Sequence, residues 1–354
     1  MRTLGRILGA LLCIILILAV IAGALMFSEL RSLASLNKVD DYPMYRMTYY
    51  GDYGFDGFLK TGAKNDNDIE NYVTKRLLKG LPIDLGVTGD GCTAFVTRNA
   101  DGDVIYGRNF DFGYTPSLQV FTDPDNGYAS VSTVNLTFAG YSADKLPAGG
   151  ISASSFLTLA APFLPFDGMN EKGVAIALLA VPDAQPPADK EITLNTTTAI
   201  RLVLDKAATV DEAVELLKEY NIYFSADVDC HYLIADASGD SVLVEYWDGA
   251  LVTTEPDADY QIASNFIAYN GMNIGEGFTE FERYDAVKAR LEEGGGTINE
   301  EDAISLLADI GVRDGDEDKL QWSAVYNLTD LTGQVFAHRN TDNVMKFDIK
   351  RAVE

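Results

Sequence analysis

The sequence predicts an α+β fold built on antiparallel sheets, and three observations carry that prediction. Apolar runs folded about a short polar turn recur three times. They are CTAFVTRNADGDVIYGRNFDF around Asp101-Gly102, YLIADASGDSVLVEYW around Ser238-Gly239 and WSAVYNLTDLTGQVFAH around Thr332-Gly333, and each reads as a β-hairpin. Helical periodicity is confined to the stretches between them. Hairpins segregated from helices argue against a doubly wound parallel sheet. With 47% hydrophobic and 23% charged residues, the 354-residue chain can bury a sizeable core.

Taken in chain order, the first element is an apolar run. Ile7 to Phe27 carry no charge and are nearly all apolar. As a helix they span roughly 31 Å, enough for a hydrocarbon core. Arg2 and Arg6 precede the run, which places the N-terminus inside and the rest of the chain outside. The length favours a retained signal anchor over 1–27. Ala22-Gly23-Ala24 keeps a cleaved signal peptide, and hence secretion, as the rival. Residues 28–41 read as a linker, and 28–91 together as linker and prosegment. In 42–91 Tyr and Phe are dense. Tyr45, Tyr49, Tyr50, Tyr53 and Phe55 point to a segment docked on the rest rather than free in water. Asp68 is expected to cap a helix over Ile69–Lys79, and Gly89-Asp90-Gly91 to form a flexible turn.

The domain proper is expected over 92–354. The stretch FLTLAAPFLPF at 156–166 offers Phe156, Phe163 and Phe166 either to an acyl pocket or to a buried strand and turn. Residues 183–190 read as a loop, and Thr197–Ala208 as an amphipathic helix. Thr209–Glu212 is a capping box opening a helix to Tyr220, and Thr297–Glu300 a second one opening Glu300–Ile310. Phe281–Leu291 is a further helix.

Function is first bounded by charge. Asp plus Glu number 53 against 27 Lys plus Arg, a net charge of -26, which repels phosphate backbones and argues against nucleic acid as a partner. The two histidines, His231 and His338, preclude a multi-histidine metal site, and the three cysteines (13, 92, 230) show no zinc spacing. Cys92 opens a predicted strand after a Gly-Asp-Gly turn, a position that would expose it. Alone it reads equally as a core thiol. The hairpin folds Arg108 and Asp111 back towards it, and a guanidinium near sulfur favours thiolate. Its base is either His231, next to Cys230, or the α-amino group of Cys92 itself, which exists only if the Gly91–Cys92 bond is cut.

The segment GCTAFVTRNADGDVIYGRNFDF resembles the N-terminal nucleophile signature of the choloylglycine hydrolase family, which includes bile salt hydrolases and penicillin V acylases and has acid ceramidase among its relatives. GMNEKGVAIALLAV at 168–181, ASNF at 263–266 and FERYDAVKARL at 281–291 are similar to further family segments. The resemblance covers about 92–350. It implies a four-layer αββα sandwich of the N-terminal nucleophile hydrolase type, here preceded by the membrane helix. It implies Cys92 as nucleophile, Arg108 and Asp111 beside it, Asn265 as an oxyanion donor and Arg283 as a bracing arginine. It implies hydrolysis of a linear amide through a thioester with no metal or organic cofactor. The substrate expected is a small-molecule N-acyl amide with an apolar acyl group, and the acidic surface disfavours anionic ones.

Two departures stand out. Where bile salt hydrolases carry an Asn and penicillin V acylases a Tyr, this chain has Ala180. The 42–91 segment also requires an internal cut at Gly91–Cys92. Acyl transfer to an amine, a Cys–His hydrolase using His231, and a non-catalytic exported domain with a Cys92–Cys230 bridge stay open at this stage.

Overall fold

The computed structural model describes residues 23–24, 26–80, 89–275 and 279–352. The membrane-spanning helix expected at the N-terminus is corrected. Among the described residues no helix is long and apolar enough to cross a membrane, and residues 7–22 of the apolar run lie outside them. The expected linker is also structured. It forms helix α1 (Phe27–Ser35) and strand β1 (Asn37–Asp40). Ser32, Leu33 and Leu36 are buried, and the helix packs against the strand at Met44–Tyr49.

Two sheets face each other. The large one contains β1, β2 (Met44–Tyr49), β5 (Ser117–Thr122), β6 (Ser130–Asn135), β7 (Pro165–Asn170), β8 (Ala175–Ala180), β9 (Cys230–Ala235), β10 (Ser241–Trp247) and β11 (Ala250–Thr254), in that spatial order. The small one runs β12 (Gln261–Ala263), β3 (Gly89–Arg98), β4 (Val104–Phe112), β13 (Leu320–Asn327), β14 (Thr332–Ala337) and β15 (Met345–Asp348). Every pairing within them is antiparallel except β2 with β5. Helices α3 (Thr196–Lys206) and α4 (Val210–Lys218) cover the large sheet, and α5 (Thr279–Glu293) and α6 (Glu300–Ile310) the small one. The layers are helix, sheet, sheet, helix. Polar groups tie the two sheets together, as where Tyr106 Oη donates to Leu233 O at 2.9 Å.

Local chemistry explains the boundaries. The predicted hairpins at 101–102 and 238–239 form. The third turns earlier, at 328–331, and Gly333 lies inside β14. A Cβ there would meet Phe347 at 2.2 Å, so the glycine answers packing rather than a turn. Thr209 caps α4 as expected, accepting from Glu212 N. Two other caps differ from the sequence reading. Asn65, not Asp68, caps α2 (Asp66–Arg76), and Asn299, not Thr297, caps α6. In each case a nearby asparagine oxygen reaches the third amide of the helix.

The aromatic segment is built into the fold. Strand β2 runs beside β5 from Met44↔Ser117 to Tyr49↔Thr122. Tyr45, Tyr49, Tyr53 and Phe55 are buried, while Tyr50 is half-buried under Arg31. Tyr53 Oη donates to both carboxylate oxygens of Asp205, at 2.7 and 2.8 Å. Asp205 in turn pairs with fully buried Arg201 at 3.0 Å. Phe55, Phe58, Tyr72 and Phe163 close an aromatic cluster over that point. Tyr53→Phe leaves Asp205 short of a donor and should cost about 1–3 kcal/mol of stability, read by denaturant unfolding. A chain beginning at Cys92, without β1 and β2, bares the edge of β5 and should be recovered aggregated when expressed alone.

Candidate active site

Strand β3 is held from both sides. Cys92 pairs with Phe110 in β4, and Ala94 pairs with Ala263 in β12. The second register carries Asn265, two residues beyond β12, back to the level of Cys92. The Cys92 N–H donates to Asn265 Oδ1 at 2.6 Å. Arg283, one turn into α5, donates from Nη2 to the same oxygen at 2.8 Å and from Nη1 to Thr93 Oγ1 at 2.7 Å. It also bonds the Cys92 carbonyl. Both groups facing Oδ1 are donors, and Nδ2 meets a carbonyl, Ala180 O, at 2.7 Å, so chemistry settles the amide's orientation.

The five side chains singled out in the sequence therefore converge on one end of β3, though not all as expected. Cys92 is 3% exposed rather than open to solvent, and Gly89–Gly91 continue the strand instead of forming a loop. Asn265 presents its oxygen, not a free N–H, to the Cys92 backbone. In this uncut chain it positions the nitrogen that cleavage would liberate. Arg108 is fully buried, with Nη2 on Phe166 O and Leu178 O, both at 3.2 Å, and Nε on Asp167 at 3.1 Å. Burial pushes the Cys92 thiol up. Arg108 pulls it down, Asp111 pushes it up, and Arg283 and the Ala180 backbone pull it down.

Asp111 accepts from Val312 N at 2.7 Å through Oδ1, and its buried Oδ2 has no hydrogen-bond partner. Arg283 stands 3.7 Å away. Burial raises the Asp111 carboxyl from 3.8 to about 6, against the downward pull of Arg283, the Val312 amide, Arg108 and Arg339. Gly91 is sandwiched here. A Cβ on it would lie 3.3 Å from Arg283 and 3.4 Å from Val312.

A narrow apolar cavity opens on the sulfur. Phe110, Phe112, Phe138, Phe166, Leu178 and Val228 supply its apolar wall, and Cys92 and Asp111 also line it. Of the three phenylalanines read from 156–166, only Phe166 lines it. Phe163 is core, and Phe156 is half-buried. The hydroxyls in the wall are already engaged, Thr197 with Phe163 O and Ser225 with Asn195. On the other side of Ala180 and Asn265 lies a second cleft bearing Asp183, Asp227, Asp229 and Glu280.

The rival base is elsewhere. His231 is buried, its Nδ1 3.3 Å from Glu245, and it does not line the cavity. His338 stacks on Tyr42 at 3.9 Å. Cys230 lines the cavity, but it and Cys92 are both free thiols. Sequence reasoning missed Thr93, Asp167 and Ser264, whose Oγ donates to Cys92 O at 3.3 Å. Only Asp167 left a signal, a lone charge inside the apolar FLPFDGM.

Residues 92–289, more than half of the chain, match the family of linear amide C-N hydrolases known as the choloylglycine hydrolase family. The chain belongs to this family. The match begins at Cys92 itself. A penicillin V acylase from Pectobacterium atrosepticum is 33% identical over 129 residues, covering 33% of this chain and 34% of the relative. The bile salt hydrolase/transferase of Clostridium perfringens is 27% identical over 226 residues, covering 58% and 66%. The chain thus spans about a third and just under two thirds of these relatives. Among solved structures, the penicillin V acylase of Agrobacterium tumefaciens superposes with a TM-score of 0.54 at 21% identity, over 73% of this chain and 87% of that one. The R18L variant of the Clostridium perfringens conjugated bile acid hydrolase gives 0.54 at 18%, over 73% and 93%. The likeness to these structures establishes the shared fold. Residues 27–80 lie outside the family match and add β1 and β2 to the large sheet. At Ala180, where the family resemblance leads one to expect a polar side chain, the backbone does the bonding. Its carbonyl accepts from Asn265, and its backbone is among the groups that pull the Cys92 thiol down.

The raised Asp111 carboxyl gives a pH prediction. Its neutral form is the one the fold favours, so that stability is full below pH 3.8 and is lost as pH rises through about 6. Asp111→Asn should remove this loss. The melting temperature of the variant relative to wild type should be higher at pH 7 than at pH 4, in calorimetry of the uncut protein.

Proposed function

We propose that the protein hydrolyses linear amides with an apolar acyl group, using Cys92 as nucleophile and, once Gly91–Cys92 is cut, its α-amine as base. The observation that carries this reading is the convergence of Arg108, Asp111, Asn265 and Arg283 on one thiol that lines an apolar cavity. The cut would begin with attack of the Cys92 sulfur on the Gly91 carbonyl carbon. The C–N bond breaks, the nitrogen takes a proton, and the Gly91 acyl group sits on sulfur as a thioester. Water then releases the Gly91 carboxylate and frees the thiol and amine. The amine stays within reach of Asn265 Oδ1. Asp111 Oδ2, buried with no hydrogen bond and with Arg283 3.7 Å away, would hold its ammonium form.

In turnover the sulfur attacks the substrate carbonyl, the amine product leaves, and water activated by the α-amine hydrolyses the thioester. Oxyanion donors such as an amide N–H contribute roughly 3–4 kcal/mol each. The apolar cavity favours a hydrocarbon acyl chain. Asp183, Asp227, Asp229 and Glu280 on the far side of Asn265 disfavour an anionic amine half. A relative named hydrolase/transferase supports a second reading, acyl transfer to an amine, which added amine acceptors would reveal as a new amide product.

The intact mass of the purified chain tests the cut. A fragment corresponding to 92–354 is expected, together with its loss in Cys92→Ala. An uncut Cys92→Ala chain that still hydrolyses amides overturns the reading. Gly91→Ala, by pressing on Arg283, should slow the appearance of that fragment. Neutral N-acyl amides should turn over faster than anionic ones at low salt, with the gap closing as salt rises.

A further inference from the structure

Arg108 meets the carboxylate of Asp167, directly before the segment 168–181. Asp167, in β7, is fully buried and is met by three donors. Arg108 Nε lies 3.1 Å and Trp322 Nε1 2.8 Å from Oδ2, and Tyr326 Oη lies 2.6 Å from Oδ1. Arg108 Nη2 is spent on two backbone carbonyls, whereas Nη1 is buried with no partner. The guanidinium also lies over the Phe110 and Trp322 rings, 5.1 and 5.4 Å from their centroids, and those rings stack at 4.1 Å. The group is thus clamped by Asp167, two carbonyls and two rings. Register places it beside the nucleophile. Cys92 pairs with Phe110 and Ala94 with Arg108, so Cys92 and Arg108 are diagonal neighbours on one sheet face.

We propose that Asp167 is a positioning residue. With Trp322 and Tyr326 fixing its carboxylate, it holds Arg108 so that the guanidinium edge left unbonded serves the Cys92 sulfur. The inference rests on Cys92 being the nucleophile and acts on it only through Arg108. A carboxylate is required because all three neighbours donate. An amide would offer one acceptor atom and turn a donor towards the others.

The test is the pH dependence of Cys92 alkylation by iodoacetamide in the full chain, followed on the Cys92 peptide by mass spectrometry. This readout needs no substrate. Arg108→Met should slow alkylation near neutral pH about tenfold, one unit of thiol pKa. Tyr326→Phe keeps both charges and removes one hydrogen bond to Asp167, so it reports positioning alone, and a loss of about threefold is expected. Asp167→Asn also deletes a negative charge, which by itself would favour thiolate. Slower alkylation in that variant therefore reports lost geometry. Adding Asp167→Asn to Arg108→Met should slow alkylation no further.

The inference is overturned if Tyr326→Phe and Asp167→Asn keep the wild-type profile while Arg108→Met shifts it, or if the double variant is additive. If Arg108→Met itself matches wild type, Arg108 does not tune the thiol and the inference is overturned, while the reading of Cys92 is decided separately by Cys92→Ala. Should Asp167→Asn fail to fold, Tyr326→Phe alone decides.

Discussion

Two guanidinium groups, Arg108 and Arg283, are buried at the same end of the sandwich as the Cys92 sulfur, and their need for compensation shapes everything around it. A buried charge without partners costs several kcal/mol. Arg108 is therefore matched by Asp167 and two main-chain carbonyls, and Arg283 by Asn265, Thr93, Asp111 and the Cys92 carbonyl. These bonds join β3, β4, β7 and α5, so the same interactions that bury the charges also assemble the site. The thiol sits where both arginines act on it, in a setting whose burial alone would keep it protonated.

The segment ahead of the family match is bound by a third buried charge. Arg201 and Asp205, one turn apart on α3, form a pair that is completed from outside the family domain by Tyr53. Parallel pairing of β2 with β5 adds main-chain hydrogen bonds, and the aromatic cluster around Phe163 adds apolar burial. The Gly91–Cys92 bond lies in β3 and belongs to none of these anchors. A cut there, as proposed, would leave the docking contacts in place.

The site divides into two chemical halves. On one side of Ala180 the wall is aromatic and aliphatic, with its hydroxyls satisfied by the protein. On the other, carboxylates crowd together closely enough that Asp183 and Asp227, after burial itself, help raise Asp229. An amide lying across Asn265 would place an apolar acyl chain in the first and its amine in the second. At this dividing line stands Ala180, whose carbonyl accepts from Asn265.

The sequence by itself determined the hairpins, the α4 cap and the placing of Arg108 and Asp111 near Cys92. Each of these depends on neighbours within about twenty residues, where strand alternation and turn chemistry act directly. The resemblance carried Asn265 and Arg283, which lie far from Cys92 along the chain and which spacing alone does not place. Tertiary structure decided the rest. It buried Cys92, turned the Asn265 oxygen towards the Cys92 nitrogen, moved the third hairpin turn and made a helix and a strand of an expected linker. It also left His231 with Glu245 and brought Asp167 under Arg108. These outcomes depend on which buried donor meets which acceptor across two sheets. A one-dimensional pattern records that a charge will be buried, but only packing selects its partner.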